Sequence, residues 1–239
     1  MKICIVTTNE ETFFIPKGIN YLIKNIQFKT DVVCVPGFLN LKRIFYSLFT
    51  LYSFELLTVF YEKLINMFKS SSLNKRSIHI NNVNSASFRD LILEKKYSLI
   101  VSYSCPQIFN KETLDFLKKE KIDIVNFHPG ILPKYKGIFI NYYSLENKEK
   151  EIGITFHFIS EKIDSGEIIS IFRIPIEKSD TVFSLYKKIF LSENSLNFIK
   201  NSINNYESIK HDRELTSSNS NYNSYPKLIN LLKYRFKKL

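Results

Sequence analysis

Five short apolar runs recur along the first half of this chain, at Ile3 to Val6, Val32 to Val35, Ser77 to Ile80, Leu99 to Tyr103 and Ile122 to Val125. Each is partly β-branched and too short to be a helix in its own right, so each reads as a buried strand. Between them lie stretches whose apolar residues return every three or four positions: Lys17 to Asn25, Leu41 to Phe68, Ser87 to Lys95 and Lys111 to Lys119. Strands alternating with helices in this way predict an α/β fold, a mostly parallel sheet with crossover helices on both faces. Asn110 stands at the N-cap position of the last of these helices, and lysines close its final turn, as the helix dipole favours.

Further along the pattern changes. Ile152 to Ile159 and Glu167 to Ile174 are β-rich runs joined by a loop too short for a crossover helix, so an antiparallel hairpin is expected. Asp180 to Asn201 has helical spacing through Val182, Leu185, Ile189, Phe190, Leu196 and Ile199. Glu207 to Asn223 is polar and rich in Ser and Asn, the composition of a mobile loop, ahead of a short apolar and basic tail from Tyr225 to Leu239. The division that follows is a core over residues 1–205, then a flexible loop and short C-terminal extension over 206–239.

Four of the six glycines fall within one stretch. It holds the run Asn126-Phe127-His128-Pro129-Gly130-Ile131-Leu132-Pro133-Lys134-Tyr135-Lys136-Gly137 and, downstream, Gly153-Ile154-Thr155-Phe156-His157 followed by Asp164-Ser165-Gly166. Asn126 and His128 stand where the fifth strand ends, and an α/β sheet binds its ligands at the carboxyl ends of its strands. There an amide N–H can stabilise an oxyanion, an imidazole can exchange a proton near neutral pH, and the carboxylate of Asp164 can orient that imidazole. Ser104 and Cys105, at the end of the fourth strand, lack the G-x-S-x-G setting of a nucleophile elbow. An oxyanion stabiliser and a base without a protein nucleophile point to direct attack of a bound amine on a carbonyl, that is, acyl transfer to nitrogen.

Composition narrows the remaining classes. Cys4, Cys34 and Cys105 are odd in number and widely spaced, with no C-x-x-C pair, so neither a disulfide framework nor a metal site is expected and a reducing cytoplasm fits. The apolar part of the N-terminus is too short for a signal peptide. Within Leu41 to Phe68 the longest uncharged run, Ile44 to Phe54, has eleven residues, against about twenty for a membrane span. A long, mostly buried helix or helix pair is the expectation there, with an interfacial membrane helix as its rival. The formal charge of +11 is dispersed as isolated lysines rather than gathered in an aromatic-rich patch, which argues against a nucleic-acid partner.

Taken together, the motifs resemble the formyltransferases that use N10-formyltetrahydrofolate, whose signature is N-x-H-P-x-x-L-P followed by G-x-T-x-H and then D-x-G. The resemblance is strong from Leu99 to Ile174 and general before it. It implies a Rossmann-like core, with Asn126, His128 and Asp164 as the catalytic trio and His157 as a supporting residue rather than a base. It also implies that the pterin of the cofactor is held chiefly by backbone groups. One side comes from Cys105, Pro106, Gln107, Ile108 and Phe109, the other from Ile159, Ser160, Glu161 and Ile163, so that side-chain changes such as Gln107→Ala are mild.

Departures from the family pattern point to a subgroup. Glycinamide ribonucleotide enzymes have a Gly-rich loop after the first strand, where this chain has Thr7 to Thr12. Methionyl-tRNA enzymes add a C-terminal barrel domain, and hydrolases of the cofactor add an N-terminal regulatory domain. The Gln107-Ile108-Phe109 turn and the Ser224-Tyr225-Pro226 element are instead similar to those of the sugar N-formyltransferases, whose common substrates are dTDP-4-amino-4,6-dideoxy sugars of lipopolysaccharide O-antigen. For such a nucleotide-linked amino sugar, Tyr222 and Tyr225 offer aromatic faces to a pyrimidine, and Asn9, Lys75 and Arg76 lie near strand ends where a diphosphate can be met. A homodimer is compatible with this reading. Its rivals are a formyltransferase for another small amine or for methionyl-tRNA, an RNA-binding module, and a silent binding protein on the same fold, which should have lost one of the trio.

Overall fold

The computed structural model describes residues 1–8, 14–37, 45–46, 49–68, 77–214 and 222–237, with all of their side chains except those of Ser53, 62–68 and Lys237. In chain order its elements are β1 Lys2–Thr8, α1 Phe14–Asn25, β2 Lys29–Val35, α2 Ser53–Phe68, β3 Ile78–His79, α3 Ala86–Lys95, β4 Leu99–Ser102, α4 Lys111–Lys119 and β5 Asp123–His128. There follow β6 Lys136–Gly137, α5 Ile140–Glu146, β7 Glu151–Phe158, β8 Ile168–Pro175, α6 Val182–Leu191, α7 Glu193–Asn204, α8 Tyr206–Ile209, β9 Tyr222–Asn223 and α9 Leu228–Lys237. Among the described residues seven strands form one sheet in the order β3-β2-β1-β4-β5-β7-β8, and β6 pairs with β9 in a separate parallel ribbon. The first five strands of the sheet are parallel, and β7 and β8 complete it as the expected antiparallel hairpin.

Period-two alternation divides each strand between two apolar layers. Ile3 and Ile5 of β1, Leu99 and Val101 of β4, and Val125 and Phe127 of β5 pack with Ile19 and Leu22 of α1, Ile189 of α6 and Ile199 of α7. Cys4, Val6, Ile100 and Ile124 face the other way, onto Phe88 of α3 and Leu117 of α4. The same parity carries Asn126 and His128 to the second face, in line with Ile124.

Local capping decides where helices start and stop. The Asn110 side chain accepts the Thr113 N–H at 2.9 Å and so begins α4. The helical spacing over Asp180 to Asn201 is divided between two helices, α6 and α7. Ser192 leaves the helical region, with φ −67° and ψ 143°, and its hydroxyl oxygen accepts the Ser195 N–H, which starts a new helix although the apolar spacing runs on unbroken. The polar tract after Glu207 is likewise not all loop: Tyr206–Ile209 is helical and Glu214 bridges Ile168 at the sheet edge, while 215–221 lie outside the described residues.

In the aromatic tract the described side chains of α2, from Phe54 to Tyr61, are not mostly buried. Phe54, Leu57, Phe60 and Tyr61 are exposed, whereas Glu55 is buried. The cause is polar: Glu55 Oε1 accepts the Thr181 hydroxyl at 2.5 Å and Oε2 accepts the Tyr52 N–H at 2.7 Å, so hydrogen bonds rather than apolar packing anchor this turn of the helix.

Candidate active site

Strand register assembles the centre. β5 and β7 run antiparallel with Asn126 opposite His157 and His128 opposite Thr155, and residues paired this way share a face. Asn126 Nδ2 lies 3.1 Å from His157 Nε2, and His157 Nδ1 lies 2.8 Å from the Phe158 carbonyl oxygen. A carbonyl only accepts, so Nδ1 carries the ring proton and Nε2 accepts from the Asn126 amide. Burial first, and then the neighbouring His128, push the His157 pKa down to about 4 against the pull of Asp164. The ring is therefore neutral near pH 7. One amide proton of Asn126 is committed to it, and the other is left for a ligand.

His128 is buried at the end of β5. Its Nε2 donates to the Tyr135 carbonyl at 2.7 Å, and Nδ1 stands 3.5 Å from Asp164 Oδ1. Asp164 arrives from the β7–β8 connection with φ 50°, a left-handed conformation that Asp tolerates better than most residues. Its second oxygen, Oδ2, accepts the Gly137 N–H at 2.8 Å. Two backbone groups in 135–137 thus fix the imidazole and the carboxylate. Gly137 itself has φ 95°, and a Cβ there would stand 2.1 Å from the Asn223 carbonyl oxygen, so only glycine fits.

Side chains of the same motifs brace this arrangement. The Thr155 hydroxyl donates to the Gly130 carbonyl at 2.6 Å and accepts the Leu132 N–H at 3.1 Å, which holds the turn after His128. Lys136 is buried, its Nζ donating to Ser165 Oγ at 3.0 Å beside Asp164. For Tyr135, Lys136, Gly137 and Thr155 the only sequence signal is that they lie inside the two motifs.

The two loops expected to hold the cofactor are joined. Lys111, just past the turn from Cys105 to Phe109, pairs with Glu161 at 2.9 Å, and an exposed isoleucine stands on each loop, Ile108 and Ile163. Cys105, Pro106 and Gln107 are half-buried. Desolvation pushes the Cys105 thiol up to about 12, so it stays protonated. Phe109 is buried against Phe88 and leaves only its backbone to a ligand. The Ile159 N–H is already bonded to the Ile124 carbonyl at 3.0 Å, and the Ser160 hydroxyl to the Lys162 carbonyl at 3.0 Å.

Gln107 also has a structural part. Its Oε1 accepts the Val83 N–H at 3.0 Å, and its Nε2 donates to the carbonyls of Pro36 and Asn81 at 3.1 and 2.9 Å. The side chain ties three segments together, so truncating it leaves the N–H of buried Val83 without this partner and should cost stability, whatever it does to cofactor binding.

The acceptor candidates separate. Tyr222, in β9, is half-exposed beside Gly137, and desolvation, then the charge of Asp164, raises its pKa. Tyr225 packs instead on Tyr46 and Phe139, with ring centroids 5.1 and 5.4 Å apart. Asn9, Lys75 and Arg76 lie outside the described residues.

Comparison with known proteins bears on the same stretch. The bifunctional polymyxin resistance protein ArnA of Wigglesworthia glossinidia brevipalpis is 36% identical over 126 residues, which is 50% of this chain but 19% of that protein. The chain thus spans well under two thirds of this curated relative. Among solved structures, a sugar N-formyltransferase from Shewanella sp FDAARGOS_354 superposes with a TM-score of 0.60 at 24% identity, covering 93% of this chain and 76% of that one. WlaRD, a sugar 3N-formyl transferase crystallised with dTDP and 5-N-formyl-THF, gives 0.54 at 23% identity over 94% of this chain and 69% of its own. At these identities the structures speak for a shared fold. The formyl transferase family itself matches residues 61–199, more than half of the sequence and the whole of the cluster from Asn126 to Asp164. The chain belongs to the formyl transferase family.

Proposed function

We propose that this protein transfers a formyl group from N10-formyltetrahydrofolate to the amine of a nucleotide-linked sugar, a dTDP-4-amino-4,6-dideoxy sugar destined for lipopolysaccharide O-antigen. The observation that carries the reading is the convergence of Asn126, His128 and Asp164 at the carboxyl end of β5, each fixed by a partner that leaves one reactive position open. The loops suit the cofactor, because Ile108 and Ile163 present apolar side chains on two segments that Lys111 and Glu161 hold together. When bound there, N10-formyltetrahydrofolate supplies the activated formyl group.

The residues of the chain then divide the work. The uncommitted N–H of Asn126 meets negative charge developing on the carbonyl oxygen, a role worth about a hundredfold or more in rate. Because His128 donates Nε2–H to Tyr135, its basic nitrogen is Nδ1, and that atom takes the proton the attacking amine loses and returns it to the donor's departing nitrogen as the bond from that nitrogen to the formyl carbon breaks. Asp164, 3.5 Å away, stabilises the imidazolium so formed. Neutral His157 keeps the Asn126 amide turned with its nitrogen in place. Tyr222, beside Gly137, offers a half-exposed ring to the acceptor.

The test is a parallel assay of tetrahydrofolate release with N10-formyltetrahydrofolate and dTDP-4-amino-4,6-dideoxyglucose, a UDP-linked amino sugar, methionyl-tRNA or glycinamide ribonucleotide as acceptor. Formylation of the dTDP sugar with the highest kcat/KM is expected. Preference for methionyl-tRNA or glycinamide ribonucleotide overturns the choice of acceptor, and turnover of none overturns the activity.

A further inference from the structure

From Phe54 to Tyr61, helix α2 is inside out. Glu55 points into the protein, while Phe54, Leu57, Phe60 and Tyr61 are 65%, 70%, 63% and 64% exposed. Positions 54, 57 and 61 recur at i, i+3 and i+7 and share one side of the helix, with 60 beside them. Single exposed apolar side chains are ordinary on a soluble domain, but a cluster of this kind on one helix face marks a surface that meets something apolar.

A second helix adjoins it. Tyr234 of α9 stands ring to ring with Tyr52, just ahead of α2, at 6.3 Å. α9 carries Lys233, Arg235 and Lys237 and no acidic residue, and exposed Lys227 precedes it. Leu228, Ile229 and Phe236 on the same helix are exposed as well. Exposed aromatic and aliphatic side chains on two helices that meet at Tyr52 and Tyr234, the second of them basic, have the chemistry of a helix pair seated at the boundary between anionic headgroups and acyl chains. A second copy of this chain would instead bring one net charge of +11 against another, which favours separation.

We propose that the outward face of α2, with basic α9 beside it, docks the protein peripherally on an anionic lipid surface. No described helix is long and apolar enough to cross a membrane, so α2 and α9 lie along the surface rather than through it. The proposal is independent of the formyl-transfer reading.

The purified full chain is to be sedimented with phosphatidylcholine vesicles and with vesicles that also contain phosphatidylglycerol, at low and high salt. Binding only to the anionic vesicles, weakened by salt, is expected. The double variant Leu57→Asp, Phe60→Asp should bind at least about tenfold more weakly, and Lys227→Glu, Lys233→Glu should also lose affinity, with thermal melting unchanged because all four side chains are exposed. The chain has no Trp, so Phe60→Trp provides a single reporter whose emission should shift to the blue on anionic vesicles. Absence of binding, equal binding to both vesicle types, no emission shift, or binding that survives the double Asp variant overturns the proposal. So does a wild-type dimer that the double Asp variant converts to monomer, since the face would then be a protein interface.

Discussion

Two carboxylates with little exposure, Asp164 and Glu55, are held in contrasting company. Asp164 faces the imidazoles of His128 and His157 at 3.5 and 3.9 Å and accepts one backbone N–H. Glu55 accepts a backbone N–H and a threonine hydroxyl, neither of which exchanges a proton near neutral pH. Around Asp164 polar groups turn inward and satisfy one another; around Glu55 the carboxylate turns inward and the aromatic side chains turn out. Burial of a charge therefore does not by itself mark chemistry. On the proposed mechanism, what marks it is burial beside a group able to change its own protonation.

The hardest test of that contrast is to remove the polar groups next to Asp164. Asn126→Ala and His128→Ala should each lower kcat by about a hundredfold or more and leave the melting temperature close to wild type. A variant of either kind that kept a tenth of the wild-type kcat would dissolve the distinction between the two regions.

His157 sharpens the contrast through pH. Its folded-state pKa, about 4, lies below its ordinary value of 6.5, so between these values the unfolded chain binds a proton that the native protein does not. Stability contributed by the neutral ring is complete above about pH 6.5 and declines as pH falls toward 4, by an amount of the order of 3 kcal/mol. Urea melts over that range should show this slope in the wild type and a flatter line in His157→Gln, whose kcat should also drop as the Asn126 amide loses its fixed partner. Parallel slopes for the two proteins would mean that the ring is not the neutral acceptor inferred from its hydrogen bonds.

How far each region was legible in the sequence follows from the same physics. β1, β2, β4 and β5 are readable because a strand buried on both faces is a short unbroken apolar run, and α4 because Asn110 is both a cap by type and a cap in fact. Asn126, His128 and Asp164 are readable through their spacing to Gly and Pro. The groups that hold them, the Tyr135 carbonyl and the Gly137 N–H, belong to the backbone and leave no side-chain signal. Ser192 breaks a helix against an uninterrupted apolar period because a hydroxyl cap outweighs spacing at that point. For α2 the apolar pattern was visible but its direction was not: periodicity says that one side is apolar, never whether protein or something else covers it. Gln107 shows the converse, a residue noticed for its turn whose side chain ties three segments that nothing in its spacing announces.

Exchanging each carboxylate for its amide compares the regions directly. Asp164→Asn should lower kcat about tenfold or more while moving KM little, because the lost charge stabilises the imidazolium rather than the bound acceptor. Glu55→Gln should leave kcat within about twofold and cost about 1 kcal/mol of stability, the scale of a single hydrogen bond made worse. Steady-state kinetics and urea melts on both proteins read the two effects separately. An unchanged kcat in Asp164→Asn would exclude the carboxylate from the chemical step.

A smaller effect than at Asp164 is expected where the proposed site meets the C-terminal elements. Tyr222 pairs in register with Lys136 through β9, and its ring is half-exposed near Asp164, whereas Tyr225 packs on Tyr46 and Phe139. A base stacking on an aromatic face needs that face open, so Tyr222→Ala should raise KM for the nucleotide sugar by up to about tenfold, or roughly 1.4 kcal/mol, with kcat little changed. Tyr225→Ala removes packing instead and should lower the melting temperature while KM stays near wild type. Measuring KM and melting temperature for both variants separates stacking from packing. A rise in KM for Tyr225→Ala alone would move the acceptor onto the Tyr46, Phe139 and Tyr225 cluster, and unchanged KM values in both would place the base away from the β6–β9 ribbon altogether.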